Sequence, residues 1–190
     1  MKSSPLASAP LNRQALLTPA ESPQRYEVIN GQLEVSSIPS TIHQLICRRL
    51  LYRLMKELEE LGTAYVFHAP TEVMLNASTS VFPDLAVVRC SRHQIISHQA
   101  IEGCPDLIIE VTSPNSEKRD LTLKRYLYAQ AGVPEYWIVH PRKCVINRMH
   151  DAVPEQGQYA TRTPVHVHEA IHSTEFPDLS IPLEGIFRPL

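Results

Sequence analysis

The sequence predicts an α/β domain in which helices cover a central sheet, and three stretches of apolar residues support this fold class. Apolar residues recur at intervals of three or four from about residue 40 to Gly62, which predicts a long amphipathic helix. The short apolar run Leu107–Val111 is typical of a central strand covered on both faces. Capping residues near position 116 and the stop signal at Gly132 predict a second helix. A strand predicted at 135–139 makes that helix a crossover connection.

Shorter alternating or apolar segments predict the other strands. Residues 26–29 and 32–35 flank the dipeptide Asn30-Gly31, which accepts the positive φ angles of a type I′ turn, so they predict an N-terminal β-hairpin. Three strands are predicted to follow the first helix as a β-meander, at 64–67, 71–75 and 81–88. Beyond residue 140 the pattern weakens. Strands at 145–149 and 165–168 and an extended tail at 176–183 are compatible with it.

Length and composition predict a single domain. The chain has 190 residues, and its first 24 are rich in Ser, Pro and Ala, so we expect a flexible leader at 1–24 and one folded domain at 25–190. The formal net charge of −2 counts against tight binding of nucleic acid without regard to its sequence, although a local basic surface is compatible with it.

Cysteine usage and hydropathy predict the compartment. The four cysteines form no C-x-x-C pair, which is typical of free thiols in a reducing cytosol. The N-terminus lacks the basic-then-apolar pattern of a signal peptide, and no apolar run approaches the ~20 residues that span a bilayer. We therefore expect a cytoplasmic protein that does not contact a membrane.

Two carboxylates stand in or beside predicted apolar strands, Asp84 and Glu110. A carboxylate in such a place is costly unless it is paired or binds a metal. Mg²⁺ prefers oxygen ligands and typically takes one or two carboxylates, so the two residues predict a Mg²⁺ site, with Mn²⁺ as the alternative cation. Lys124 on the following helix is the candidate for a cation that assists phosphodiester hydrolysis.

Three segments resemble a known family. They are V-F-P-D-L-A-V-V, P-D-L-I-I-E-V-T-S-P-N-S and R-D-L-T-L-K-R-Y-L-Y-A-Q-A-G-V-P-E-Y-W-I-V. They are similar to the Uma-type restriction endonuclease family of the PD-(D/E)xK nuclease superfamily, and the resemblance runs from about Tyr26 to Phe187. It implies a restriction-endonuclease-like fold, in which helices flank a mixed central sheet. It also implies a divalent metal and a nucleic-acid substrate, with DNA expected. A homodimer, which would supply two sites for cleavage of both strands, is left open.

The resemblance also implies roles for individual residues. Asp84 matches the aspartate of the PD element, and Glu110 matches the acid of the (D/E)xK element. Thr112 stands where that element has its lysine, so Lys124 is expected to supply the ammonium, with Lys118 as the alternative. Alternation along the strand places Glu110 and Thr112 on one face, and a helix packed over that face could bring Lys124 to the missing position.

Structural roles compete with these assignments. Asp84 could accept a turn hydrogen bond, Glu110 could form a structural ion pair, and Lys124 could be solvated or paired with Asp120. Asp106, which also follows a proline, is expected to be a turn or supporting residue rather than a ligand.

Other polar residues are less specific. His43 and Glu57 on the first helix could face the site, but a capping or solvated role is favoured. His166, His168 and His172 have alternating spacing compatible with a metal site, but a solvated edge strand is the favoured interpretation.

The predicted function is thus a metal-dependent endodeoxyribonuclease. The alternative from another class is a non-catalytic nucleic-acid-binding or scaffold protein that keeps the nuclease fold. A third hypothesis is a metal-dependent hydrolase that acts on a substrate other than nucleic acid.

Overall fold

The structure of the protein is a computed structural model that describes residues 25–29, 31–36 and 39–189. The predicted leader at 1–24 lies outside the described residues. Thirteen strands form two larger sheets and one small one in this part of the chain. Their bounds are β1 Arg25–Ile29, β2 Gln32–Ser36, β3 Ala64–His68, β4 Glu72–Asn76, β5 Thr79–Val81, β6 Leu85–Arg89, β7 Ala100–Glu102, β8 Leu107–Val111, β9 Glu135–His140, β10 Val145–Val153, β11 Gln158–His166, β12 Ala170–His172 and β13 Ser180–Pro182.

The helices are interrupted by wider turns. Helix α1 begins with α-helical Thr41–Leu54 and continues as a π-helical turn, Met55–Glu59. Helix α2 has α-helical ends, Glu117–Arg119 and Arg125–Gln130, around a π-helical turn, Asp120–Lys124. Helix α3 spans Leu183–Phe187, and 3₁₀ turns lie at Cys90–Ile95 and Pro154–Gln156. Both predicted long helices are therefore present.

The central sheet is mixed, as predicted. Its six strands run in the order β11-β10-β9-β8-β6-β3, and β8 and β9 pair in parallel while the other neighbours pair antiparallel. Helix α2 connects the two parallel strands, because parallel neighbours need a crossover. All five residues of β8 and all six of β9 are buried, as expected for strands covered on both faces.

Different elements cover the two faces of this sheet. Leu107 and Ile109 of β8 pack with apolar residues of α1 and of the C-terminal segment. Ile108 points the other way and packs with Tyr128 of α2 and with Val81 of the second sheet. The alternation predicted along β8 is thus observed, and α2 covers the face that Glu110 shares with Ile108.

The second sheet contains the predicted hairpin. Its order is β2-β1-β5-β4-β7, and Ile29 pairs with Gln32 across a two-residue turn that includes Gly31, whose φ is +75°. Asn30 lies outside the described residues.

The predicted meander is wrong, because consecutive strands belong to different sheets. Strand β3 pairs with β6 in the central sheet, whereas β4 pairs with β5 and β7 in the second sheet. The strand predicted at 81–88 is two strands: β5 ends at Val81, and β6 begins at Leu85. Pro83 between them lacks the N–H that a continuing ladder would use. The chain crosses from one sheet to the other at this point.

The C-terminal region is more regular than its sequence pattern indicates. Strands β10 and β11 form a long antiparallel pair from Val145↔His166 to Val153↔Gln158, so the predicted strands at 145–149 and 165–168 capture only part of it. The predicted extended tail contains β13 and then turns into α3, and its Phe176 and Leu179 are buried in the core.

Candidate active site

The crossing between the two sheets positions Asp84. Asp84 directly precedes β6, and its Oδ2 accepts hydrogen bonds from Val111 N at 2.9 Å and from His43 Nε2 at 3.0 Å. His43 is held in the first turn of α1, where Ser40 caps the helix by accepting the His43 backbone N–H at 3.2 Å. Asp84 is 6% exposed. A strand end and a helix start thus fix this carboxylate.

Glu110 lies beside Asp84. The antiparallel register pairs Leu85 with Ile109, and one further step of that register sets Asp84 opposite Glu110. Glu110 Oε1 accepts hydrogen bonds from Tyr128 O–H at 2.7 Å and from Lys124 Nζ at 2.8 Å. Both donors come from α2, on the face predicted from strand alternation.

Lys124 is buried between two carboxylates. Its Nζ lies 2.8 Å from Glu110 Oε1 and 2.9 Å from Glu27 Oε1, and its side chain is 3% exposed. It ends the π-helical turn that begins at Asp120, and Asp120 is buried too. Such turns are frequent at functional sites, because the extra residue re-aims side chains along a helix. Lys118 is exposed near the start of α2.

Glu27 was missed as a site residue. It lies on hairpin strand β1 and is buried, and its Oε1 also accepts the backbone N–H of Phe82 at 3.1 Å. Its Oε2 is buried without a hydrogen-bond partner, at 3.7 Å from the guanidinium of Arg119. The signal was an acid between apolar residues in a predicted strand, the same signal that singled out Glu110.

The two candidate metal ligands have opposite pKa shifts. Burial disfavours the ionised form of Asp84, but the hydrogen bond and charge of His43 and the N–H of Val111 outweigh it, so the pKa of Asp84 lies below its ordinary value. Burial raises the pKa of Glu110 to about 8; Lys124 opposes this rise, and the neighbouring carboxylates, Asp84 first among them, add to it.

Burial and the neighbouring charges together set the proton affinities in this cluster. The pKa of Lys124 is also raised, because the attraction of Glu110 and Glu27 outweighs the effect of its burial. Burial raises the pKa of Asp120. Carboxylates therefore outnumber the ammonium group that they surround, and both Glu110 and Lys124 hold their protons tightly.

The carboxylates of this cluster, with His43 and Lys124, border one cleft of about 200 Å³. Its charged and polar lining includes Glu27, His43, Asp84, Glu110, Asp120 and Lys124. Oxygen donors, a buried carboxylate oxygen without a hydrogen-bond partner and several neighbouring carboxylates suit a hard divalent cation such as Mg²⁺. The geometry thus brings the three predicted residues, Asp84, Glu110 and Lys124, to one place.

The remaining candidates lie elsewhere. Asp106 binds Arg92 at 2.9 Å and accepts the Arg89 N–H at 2.8 Å, which is the supporting role predicted for it. Glu57 pairs with Arg53 at 3.0 Å on α1. The C-terminal histidines are exposed, and His168 pairs with Glu184 at 3.2 Å. Among the described residues, no helix is long and apolar enough to cross a membrane.

Comparison with known proteins decides the family. A family model described as "Uma2: Putative restriction endonuclease" matches residues 13–184. The chain belongs to the Uma2 family. The Uma2 match begins inside the segment predicted to be a leader, and it includes every strand and residue of the cleft described above. No curated protein matches the chain.

A solved structure has the same fold as this Uma2 protein. It is a crystal structure from Anabaena variabilis, described as "a putative nuclease belonging to DUF820". The identity is 18%, the TM-score is 0.75, and the alignment covers 94% of this chain and 98% of that one. The fold is thus restriction-endonuclease-like, as the sequence predicted, and the family description assigns the chain broadly to the nucleases.

Proposed function

We propose that this Uma2 protein is a Mg²⁺-dependent endonuclease that hydrolyses phosphodiester bonds of DNA. Asp84 and Glu110 are the proposed metal ligands, and Lys124 is the proposed assisting cation. The observation that carries the proposal is the meeting of these three side chains at one cleft, although they come from a strand entry, a central strand and a helix. Mn²⁺ is the alternative cation.

A bound divalent cation would polarise the phosphodiester and lower the pKa of a water at the site. The cluster fits such an ion, because cation binding would stabilise the ionised form of Glu110, which burial and then the neighbouring carboxylates now disfavour, raising its pKa to about 8. His43 and the Val111 N–H hold Asp84 ionised and in one orientation, so this ligand is ready at neutral pH.

Lys124 acts in this proposal as a fixed positive charge. Its raised pKa keeps it protonated at neutral pH, so it cannot accept the proton of the attacking water. Its ammonium instead offsets negative charge that develops on the phosphate, and the two carboxylates that hold it keep it from leaving the site. At the entrance, Asn115 and Ser116 near the start of α2 offer polar groups to a phosphate.

The description of the family as restriction endonucleases supports DNA as the proposed substrate. A non-catalytic nucleic-acid-binding protein is the competing proposal, because Thr112 stands in the motif position of the lysine and its O–H donates to Val139 O at 3.1 Å. That alternative predicts metal binding without cleavage.

A cleavage assay tests the proposal. Purified full-length protein is incubated with supercoiled plasmid, linear duplex, single-stranded DNA and RNA, each with Mg²⁺, Mn²⁺ or EDTA. We expect cleavage of DNA with either metal and none with EDTA. Cleavage of small phosphoesters alone would support the third hypothesis.

Asp106 supplies a matched control for Asp84. Both are buried aspartates that follow a proline, but Asp106 is paired with Arg92 and is not part of the cleft lining. We expect Asp84→Asn to abolish cleavage and Asp106→Asn to retain it in the fraction of protein that folds. Equal loss in both variants, at equal folded fractions, would contradict the assignment.

A further inference from the structure

A second group of ligand atoms adjoins the cleft, and the proposed nuclease site does not use all of it. His43, Cys47 and Asp84 each offer one ligand atom, and these atoms lie within 4.8 Å of one another. Cys47 Sγ lies 3.5 Å from His43 Nδ1, and His43 Nε2 lies 3.0 Å from Asp84 Oδ2. The i, i+4 spacing of His43 and Cys47 puts both on one side of α1.

The donor set selects a class of cation. A thiolate, an imidazole and a carboxylate are all ligands of Zn²⁺, whereas Mg²⁺ takes oxygen ligands and not sulfur. A tetrahedral Zn²⁺ sets its ligand atoms roughly 3.3–3.6 Å apart, from its bond lengths to S, N and O. Cys47 and Asp84 contact opposite ring nitrogens of His43, so one ion would bind a single nitrogen after rotation of the imidazole and closure of the two other side chains from within 4.8 Å.

The triad also has room for a fourth ligand. A second cleft, of about 580 Å³, is lined by His43, Cys47 and Asp84 together and opens to solvent. Three protein ligands with one open position form a common type of zinc site. His43 and Asp84 also border the first cleft, so the two clefts meet at these two side chains.

We propose that His43, Cys47 and Asp84 form a Zn²⁺ site that shares Asp84 with the Mg²⁺ site. The Cys47 thiol releases its proton to solvent when the ion binds. Two divalent ions held by one carboxylate repel each other at short distance, and the imidazole and thiolate favour Zn²⁺, so Zn²⁺ displaces Mg²⁺ and switches off cleavage. This last consequence rests on the proposed nuclease function, whereas the triad itself does not.

Co²⁺ tests the triad without any assay of activity, because a cobalt–thiolate bond gives a charge-transfer absorption band. The full-length protein, kept reduced with a phosphine, is titrated with Co²⁺ and then with competing Zn²⁺. We expect one Co²⁺ per chain with a thiolate band. In Cys47→Ser the band should be lost and the affinity should weaken by more than the ~100-fold that loss of an outer-shell partner can cost, because Cys47 is a direct ligand. Cys90→Ser is the matched control, a half-buried cysteine outside both clefts, and it should keep the band.

Alkylation gives a second measurement on the same proteins. Zn²⁺ should protect Cys47 from iodoacetamide and leave Cys90 as reactive as before, as mass spectrometry of the peptides would show. Circular dichroism establishes that each variant is folded. The triad would be overturned if the wild-type protein shows no thiolate band, or if the band persists in folded Cys47→Ser. It would also be overturned if Cys47→Ser takes up as much Zn²⁺ as the wild type, because the exposed histidines would then be the ligands.

Sharing of Asp84 has its own tests. Excess Mg²⁺ should weaken the apparent affinity of the protein for Co²⁺. Sub-stoichiometric Zn²⁺ should lower Mg²⁺-dependent cleavage by the wild type and by Cys90→Ser. It should not lower cleavage by Cys47→Ser. If Co²⁺ binds through Cys47 while Zn²⁺ leaves cleavage intact, the sharing is wrong. If no metal supports cleavage, the nuclease proposal fails, and the cobalt spectrum still decides the triad.

Discussion

Lys124 contacts Glu110 at 2.8 Å although 14 residues separate them in the chain. In the PD-(D/E)xK pattern that the sequence resembles, the lysine stands two residues after the acid, and that position holds Thr112 here. The ammonium therefore reaches the acid from the helix that crosses over it, and the π-helical turn at Asp120–Lys124 aims it there.

The burial of Lys124 predicts a cost in stability as well as in rate. Lys124→Met would leave ionised Glu27 without its cation and Glu110 without a hydrogen-bond donor, and breaking a buried pair costs about 3–5 kcal/mol. We expect a lower melting temperature and loss of cleavage. Lys118→Met, an exposed control on the same helix, should change neither. A melting temperature of Lys124→Met equal to that of the wild type would contradict the buried ion pair.

The opposite pKa shifts of the two proposed ligands predict opposite effects of amide substitutions. Without metal at pH 7, Asp84→Asn should destabilise the protein, since the structure favours the ionised form of Asp84. Glu110→Gln should leave its stability unchanged or raised, since the structure favours the neutral form of Glu110. Both should abolish stabilisation by Mg²⁺. Thermal melts of each variant with and without Mg²⁺ measure these effects. Equal destabilisation of both variants without metal would show that the cluster has a purely structural role.

The raised pKa of Glu110 predicts a falling stability from acid to weakly alkaline pH. Its ordinary pKa is about 4.5 and its folded-state pKa is about 8, so the folded state binds the proton more tightly than the unfolded state does. The resulting stabilisation is complete below about pH 4.5 and is lost as the pH rises to about 8. The difference in unfolding free energy between wild type and Glu110→Gln isolates this group. We expect Glu110→Gln to become more stable relative to the wild type as the pH rises from 5 to 8.5. We also expect Mg²⁺ binding to release protons below pH 8. A difference that does not vary with pH would falsify the assignment.

A carboxylate remote from the cleft tests the fold independently. Glu135 is fully buried at the start of β9 and accepts hydrogen bonds from Trp137 Nε1 and from Ser173, Thr174 and Glu175 in the C-terminal segment. Each buried donor that loses its acceptor costs about 1–3 kcal/mol.

We therefore expect Glu135→Ala to destabilise the protein strongly and to expose the chain after residue 172 to proteases first. Glu155→Ala, at an exposed position, should do neither. Limited proteolysis followed by mass spectrometry reads the order of cuts. Cleavage that begins elsewhere would show that Glu135 does not anchor this segment.

Local patterns predicted the elements that carry the candidate site. Acids between apolar residues pointed to Asp84 and Glu110, because the cost of burying a charge is visible from its immediate neighbours. Alternation gave the face of Glu110, and helical periodicity gave the helix of Lys124, since both depend only on residues close in the chain. Their roles in catalysis stay predictions.

Long-range partners could not be predicted in this way. The contact between Glu27 and Lys124 joins the N-terminal hairpin to the crossover helix, and nothing in either segment specifies the other. The alternating patterns of β3 and β4 are equally suited to pairing with each other or with other strands, so the sequence did not show that they belong to different sheets. His43 resembled a capping residue, and only the tertiary fold brings it to Asp84.

The π-helical turn at Asp120–Lys124 determines what a deletion in this helix would change. A one-residue deletion there would restore regular α-helical hydrogen bonding and would leave the turns on either side nearly in phase, because a π-helical turn holds one residue more than an α-helical turn. The deletion would instead shorten the spacing between Asp120 and Lys124, so these two side chains would lose the relative positions with which they border the cleft. We therefore expect relatives that keep this cluster to keep the extra residue, and a relative with a regular helix at this place to lack the contact that Lys124 makes with Glu110 here.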